Sequence, residues 1–406
     1  MQTTSGMRIL VVTTELPYPP NWGAAMRNYH FLQRLCSSHQ VWLLSYDLPS
    51  GSADAEGLRQ LNLEVRVVPW QAPASKRFTQ LASLVSPRSY TGQIFHQPRM
   101  QAEIDRLLAE VDLDLVLVEG SMLWRLDFGT RTPVVLDEHN VEYEMLWRTY
   151  VSERSPLRKA FAYLEYRSFK REEQAAWRGA AWCVFTSERE RDIVRDLAIP
   201  TPATAIPNGV DLEKLHPSES AADPNSIVFT GRIGYRPNTD AIGYFVHDIL
   251  PVIHRARPEA VFTVVGADVP PEVRRLAGPH VVVTGAVPDV RPYWRKAAAV
   301  VVPMRFGGGT RIKVLEALAM ARPVVSTSLG CEGIELVPDE HLLVADTPER
   351  FAQSVLRVMD DPAFGTELGA RGRSLVQAKY AWSGFAARME AVLESAAREA
   401  TAGRPL

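Results

Sequence analysis

An α/β protein made of two doubly wound parallel sheets is the fold class the sequence predicts, and three observations predict it. The chain has 406 residues, beyond the size at which one hydrophobic core keeps growing, so two domains are expected. Short β-branched runs alternate with longer helical patterns almost from end to end. The runs are apolar on both faces, as strands are when helices cover a parallel sheet on both sides.

In the first half the expected strands are "RILVVTT", "QVWLLSY", "EVRVVPW", "LDLVLVE", "PVVLDE" and "AWCVFTS", with amphipathic helices such as "AAMRNYHFLQRLCSS" and "MQAEIDRLLAEV" between them. Around residue 207 the alternation pauses at "IPNGVDLEKLHPSESAADPNS", rich in Pro, Asn, Ser and Asp. It restarts with "IVFTG", "AVFTVVG", "VVVTGAV", "AAVVVPM", "PVVSTS" and "HLLVAD". We therefore expect one Rossmann-like domain over 1–206, a second over 207–380, and a final helix, "WSGFAARMEAVLESAARE", within 381–406. Two such domains are expected to face each other across a cleft, with the carboxyl ends of both sheets opening into it. The loops that leave those ends are where functional residues are sought.

Composition narrows the function classes. Hydrophobic residues at 46% and charged residues at 23% are ordinary for a soluble globular protein. A net charge of -2 argues against a general nucleic-acid binder. Cys36, Cys183 and Cys331 lie far apart with no CxxC pair, which is neither a disulfide framework nor a zinc site and suits a reducing cytosol. The N-terminal apolar run is too short for a membrane span or a typical signal peptide, and no other run reaches about 18 residues. A cytoplasmic protein is expected, with at most a peripheral contact with the inner face of the cell membrane.

Four loops carry chemistry. The first, "TTELPYPPNWGAAMRNYHF", lets Gly23 open a helix starting near Ala24, whose backbone N–H groups can approach an anion; GxGxxG is absent, so it is no dinucleotide fingerprint. The second, "PVVLDEHNVEYEML", ends a buried strand in Asp137, Glu138, His139 and Asn140. His139 can bind substrate or move protons in the useful pH range. Neighbouring acid and histidine on a strand point to opposite faces, which disfavours a metal site. The third, "IVFTGRIGYRPNTDAIGYF", follows a strand with Gly231 and Arg232, an arginine able to grip phosphate oxygens or to lie near a helix capped by Asn238 or Asp240.

The fourth, "VVPMRFGGGTRIKVLEALAMARPVVST", places Gly307, Gly308, Gly309 and Thr310 before a helix carrying Arg311, Lys313 and Glu316. Glycines permit close backbone approach, and the helix dipole and two cations favour an anion. The spacing does not fit a P-loop, so ATPase chemistry is disfavoured. Glu316 would repel phosphate, and suits neutral hydroxyls better, as an acid grips ribose in dinucleotide folds.

This combination resembles the retaining glycosyltransferases of family 4, which have the GT-B fold. The resemblance runs nearly the full length and is most specific in "RIKVLEALAMARPVVSTSLGCEGI", "IPNGVD" and "FTGRIGYRPNTDA". It implies a nucleotide-diphosphate sugar held mainly by the C-terminal domain, an acceptor held mainly by the N-terminal domain, and no metal ion or other cofactor. It also implies that the last helix crosses back onto the N-terminal domain. By resemblance, Glu316 hydrogen-bonds the donor ribose, Arg232 contacts the diphosphate, Gly23 lies against the donor phosphates, and His139 is near the transferred sugar. The backbone from Gly285 to Val290, "GAVPDV", would meet the base.

Two positions depart from the family pattern. Gly308 stands eight positions before Glu316, where a first glutamate is usual, and Pro237 stands where a lysine is expected. Lys313 or Arg311 would then supply the displaced charge, with main-chain N–H groups from Gly308 to Thr310 holding the sugar. The expected catalytic residues are His139, Arg232 and Lys313. The donor set adds Gly23, Gly231, Gly308, Gly309, Thr310, Arg311 and Glu316. Trp22, Asn140 and Tyr143 are expected at the acceptor, with Tyr18 and Trp124 as further aromatic candidates.

The expected acceptor is a sugar, a lipid-linked sugar or a small molecule, and the expected assembly a monomer or homodimer. The stretch "RSPLRKAFAYLEYRSFKREEQAAWRG" reads as a long connecting helix, and its basic and aromatic residues would also suit an anionic membrane. Two rival readings share the fold: a nucleotide-sugar 2-epimerase, for which "DEHN" alone supplies too few catalytic groups, and a silent partner subunit, which Gly308 keeps open.

Overall fold

The computed structural model describes residues 6–20, 23–48, 55–73, 75, 79, 83, 86, 88–153, 155–217, 221–307 and 311–402. Trp22, Gly308, Gly309 and Thr310 of the expected site lie outside these residues. The chain forms two compact units, Met1–Pro207 with Ser383–Leu406, and Asn208–Trp382.

The first unit is built on seven parallel strands in the order β3-β2-β1-β4-β5-β6-β7. They are β1 (Arg8–Thr13), β2 (Gln40–Asp47), β3 (Glu64–Pro69), β4 (Leu115–Glu119), β5 (Val134–Glu138), β6 (Trp182–Phe185) and β7 (Ala203–Ala205). Val11 lies between Leu43 and Leu117 in register, and all five residues of β4 are buried, as a central parallel strand requires. Only β7 has no counterpart in the sequence reading, because three residues are too few to display a period.

Helices cover the sheet for legible reasons. Pro98–Glu110 starts on a proline and buries Met100, Ile104 and Leu107, one stripe of an amphipathic helix. The helix Gly23–Leu35 begins one residue before the expected Ala24, and buries Ala25, Phe31, Leu32 and Leu35, with Arg27 and Asn28 on the same face.

The long helix Pro156–Gly179 occupies the stretch read as a connecting helix. In the final helix, Trp382–Ala402, residues from Ser383 onward belong to the first unit. Met389, Leu393 and Ala396 are buried, Glu390 pairs with Arg34 at 2.7 Å, and Arg388 donates to the Ala205 carbonyl at 2.7 Å.

The second unit repeats the plan with six parallel strands in the order β10-β9-β8-β11-β12-β13. They are β8 (Asp223–Thr230), β9 (Val261–Val265), β10 (Val281–Val283), β11 (Ala297–Val302), β12 (Val324–Ser326) and β13 (Leu343–Val344). In both sheets the strand order turns back once, between β1 and β4 and between β8 and β11. A crevice opens at such a point beyond the strands' carboxyl ends. Among the described residues no helix is long and apolar enough to cross a membrane.

Candidate active site

In the first unit, the crevice beyond β1, β4 and β5 holds a chain of charged groups. Strand alternation sends Asp137 and His139 to one side and Glu138 to the other. On the first side Arg27 is fully buried and grips Asp137 through two nitrogens, Nη2 at 2.7 Å from Oδ1 and Nε at 2.8 Å from Oδ2. Its Nη1 donates to the Ile206 carbonyl at 2.7 Å. Burial alone would raise the Asp137 pKa, but Arg27 and His139 overcome it and hold the carboxyl well below the usual range.

His139 lies between two carboxylates, with Nε2 at 3.4 Å from Asp137 and Nδ1 at 3.6 Å from Glu119. Burial opposes the imidazolium, yet Asp137 and then Glu119 outweigh it, so the ring holds its proton more tightly than free histidine. Glu119 accepts from the Thr14 backbone N–H at 2.7 Å and its hydroxyl at 3.1 Å, bridging β4 to the loop after β1. Burial pushes its pKa up, against the pull of His139. Arg27, Asp137, His139 and Glu119 thus alternate basic and acidic side chains along the crevice.

On the far side of β5, Glu138 accepts from the Trp177 indole at 2.8 Å and the Ser121 N–H at 3.1 Å. Glu173 accepts from the N–H groups of Glu142 and Tyr143 at 2.8 and 2.9 Å. Burial pushes the Glu138 carboxyl up to about 8, and burial followed by Glu138 raises Glu173 as well. Asn140 donates to Glu142 at 3.2 Å. Tyr143, expected at the acceptor, is buried in the core, its ring 6.0 Å from Trp177 and 6.3 Å from Tyr166. Gly23 heads the helix that carries Arg27. Among the described residues no group of three His, Cys, Asp or Glu side chains is arranged to hold a metal ion.

In the second unit the crevice lies between β8 and β11. Gly231 has φ +148°, and a Cβ there would meet Lys313 Nζ at 2.9 Å and Asn238 Nδ2 at 3.1 Å. At Gly266, φ +153°, a Cβ would collide with the Gly231 carbonyl, so the loops after β8 and β9 pack backbone on backbone. Gly285 accepts from the Gly266 N–H at 3.1 Å.

Lys313 and Glu316 stand one turn apart on the helix Ile312–Ala319, which follows β11. Lys313 donates to Asn238 Oδ1 at 2.8 Å and lies 4.0 Å from the centre of the Phe229 ring. Asn238 in turn donates to the Arg232 carbonyl at 2.8 Å, locking the turn that presents Arg232. Burial, with buried Arg311 beside it, pushes the Lys313 ammonium down to about 7, against the pull of Glu316. Burial likewise pushes Glu316 up to about 7, against Lys313.

The structure departs from the expected capping. The helix Arg236–Tyr244 has Tyr235 at its N-cap position with no side-chain cap; Asn238 is taken by Lys313 and Arg232, and Asp240 by Arg305 at 2.6 Å. The Arg232 side chain turns outward to Asp268, Nε to Oδ2 at 2.6 Å. Sequence reasoning passed over Arg27, Glu119 and Asp268. A single arginine within an amphipathic helix gives no sign of being buried, and the partners Asp137 and Asp268 are 110 and 36 residues away.

Two family descriptions match the chain: "Glycosyltransferase Family 4" over residues 23–214 and "Glycosyl transferases group 1" over residues 224–361. An uncharacterised 44.6 kDa protein in the cps region of Klebsiella pneumoniae is 20% identical over 386 residues, covering 92% of this chain and 96% of that protein. The lipopolysaccharide core biosynthesis mannosyltransferase LpcC of Rhizobium leguminosarum bv. viciae is 25% identical over 294 residues, covering 67% of this chain and 81% of LpcC. The solved sucrose-phosphate synthase of Thermosynechococcus elongatus superposes with a TM-score of 0.72 at 17% identity, over 96% of this chain and 98% of that one; at that identity the likeness shows the shared GT-B fold. With the two family matches lying one on each sheet-bearing unit, this chain belongs to glycosyltransferase family 4.

Proposed function

We propose that this chain binds a nucleotide-diphosphate sugar on its Asn208–Trp382 unit and transfers the sugar to a hydroxyl of a glycan or glycolipid acceptor, retaining the anomeric configuration and using no metal ion. The observation that carries the donor reading is the Gly231–Asn238–Lys313 cluster with Glu316 one turn away. The leaving nucleoside diphosphate develops negative charge, which fixed positive groups stabilise. Lys313, Arg311 and Arg232 are the groups for that task, and Glu316 accepts from the ribose hydroxyls. Arg232 must leave Asp268 to reach a phosphate, an exchange that costs little because exposed ion pairs are worth about 0–1 kcal/mol.

His139 lies between Asp137 and Glu119, which make its ring hold a proton more tightly than free histidine and suit it to hydrogen-bond a sugar oxygen. The two carboxylates are themselves engaged, Asp137 by Arg27 and Glu119 by Thr14. That favours departure and attack on one face of the sugar over a covalent intermediate on either acid. Similarity to a lipopolysaccharide core biosynthesis mannosyltransferase favours a glycan or lipid-linked glycan as acceptor.

The test is a thermal-shift screen with UDP, GDP, ADP and dTDP, each alone and as sugar conjugates. A ligand at a hundred times its dissociation constant adds about 2.7 kcal/mol. One nucleotide should raise the melting temperature selectively, and Glu316→Gln should abolish the rise. Turnover of the matching sugar nucleotide should then survive a chelator. A flat response to every nucleotide would overturn the donor assignment.

A further inference from the structure

The helices Glu142–Ser152 and Pro156–Gly179, which follow β5 and the loop bearing His139, expose a surface that the transferase chemistry does not use. Leu157 is 86% exposed, Val151 57% and Trp147 43%. Trp147 and Val151 lie four residues apart, on one side of the first helix. On the second, Leu157, Ala160 and Leu164 form one exposed stripe that continues into Arg167 and Arg171. Aromatic rings hold the helices together beneath it: the Trp147 ring lies 5.1 Å from those of both Tyr150 and Tyr166, and Tyr150 lies 5.3 Å from Tyr163. Lys159 sits 5.2 Å above the Tyr150 ring and Arg167 5.9 Å above Tyr163.

Charge is biased in the same place. Residues 142–179 contain eight arginines and lysines against six glutamates, in a chain whose net charge is -2. Three of those glutamates are spent inside the fold. Glu165 accepts from the N–H groups of Tyr90 and Thr91 at 2.8 and 2.9 Å, Glu173 from those of Glu142 and Tyr143, and Glu172 holds Ser89 and Arg125. The outward face is left with the cations.

We infer that this helix pair docks the protein onto an anionic lipid bilayer, with Leu157, Val151 and Trp147 entering the headgroup boundary and the surrounding arginines and lysines meeting lipid phosphates. Aliphatic side chains at the tip, aromatic rings behind them and cations around the rim match the layers of a bilayer interface in that order. A soluble glycan would be met by flat ring faces, whereas here the most exposed large hydrophobic side chain among the described residues is Leu157, and Trp147 is tilted by 42° and 51° to its neighbours. The inference stands independently of the donor site.

The full chain should cosediment with phosphatidylglycerol vesicles at low salt and not with phosphatidylcholine vesicles. Binding should weaken as salt rises, and by about fivefold for each cation removed, Lys159→Gln being the first choice. Val151→Glu combined with Leu157→Glu should lower partitioning at least about tenfold. Circular dichroism and an unchanged unfolding midpoint would establish that this double variant is folded. Failure to bind phosphatidylglycerol at low salt would overturn the inference, as would equal binding by the folded double variant. Retention on a soluble acidic polysaccharide without vesicle binding would also overturn it, and would reassign the surface to glycan.

Discussion

Asp137→Asn leaves the Arg27 guanidinium inside the first unit without its counter-ion. The wild-type pair has no exposed side and contacts of 2.7 and 2.8 Å, and the guanidinium is also anchored at the Ile206 and Pro207 carbonyls. An uncompensated buried charge costs about 3–5 kcal/mol. For a folding unit of about 150–250 residues, each kcal/mol moves the melting temperature by about 2–4 °C. Calorimetry should therefore show the transition of the first unit falling by roughly 6–20 °C. Removing both charges with Arg27→Met and Asp137→Leu should return stability to within about 1 kcal/mol of wild type, since an apolar pair of similar volume avoids both desolvation penalties.

The double variant should nevertheless remain defective in sugar transfer, because His139 has lost the carboxylate at 3.4 Å that holds its proton. Acid adds a further check. The folded pKa of Asp137 lies below its ordinary value, so its stabilising contribution is present above about pH 4 and is lost as pH falls through that value toward the folded one. Asp137→Asn should remove that part of the acid sensitivity. A single-variant loss below about 1 kcal/mol, or a double variant as unstable as the single, would refute the account of the pair.

Two further outcomes are expected. Lys313→Met should weaken nucleoside diphosphate binding about 10- to 150-fold by calorimetry, the worth of a charge-assisted hydrogen bond; wild-type affinity should also fall between pH 8 and 10, where Glu316 is ionised and the Lys313 ammonium, held down at about 7, is largely uncharged. A pH-independent affinity across that window, or an unaltered Met variant, would remove Lys313 from the site. Glu138 has its folded pKa raised to about 8, so its contribution is full below the ordinary glutamate value of about 4.3 and is lost as pH rises through 8. Glu138→Gln should flatten the stability of the first unit between pH 5 and 8, as read by urea unfolding followed by circular dichroism, and an unchanged slope would assign that loss to another group.

The alternation of β-branched runs with amphipathic helices determined both sheets, because a strand covered on two faces must be apolar throughout and its crossover helix must be amphipathic. The stretches "PVVLDE" and "AAVVVPM" could be assigned to strands, and the polar residues after them to loops, from local pattern alone. Lys313 and Glu316 could also be singled out, since both lie on one short helix behind a glycine run. Tertiary structure decided which of these groups meet. The Arg27–Asp137 pair, the Glu119–His139 contact and the Asn238–Lys313 bond join positions from 20 to 110 residues apart. Strand order brings them together and no local period records it. Burial, which moves Lys313 and Glu316 toward 7 and Glu138 toward 8, likewise exists only once the sheets and helices have closed over those side chains. Residue type and order were enough for the fold and the class of chemistry; the protonation states and partners that make a site required the packed chain.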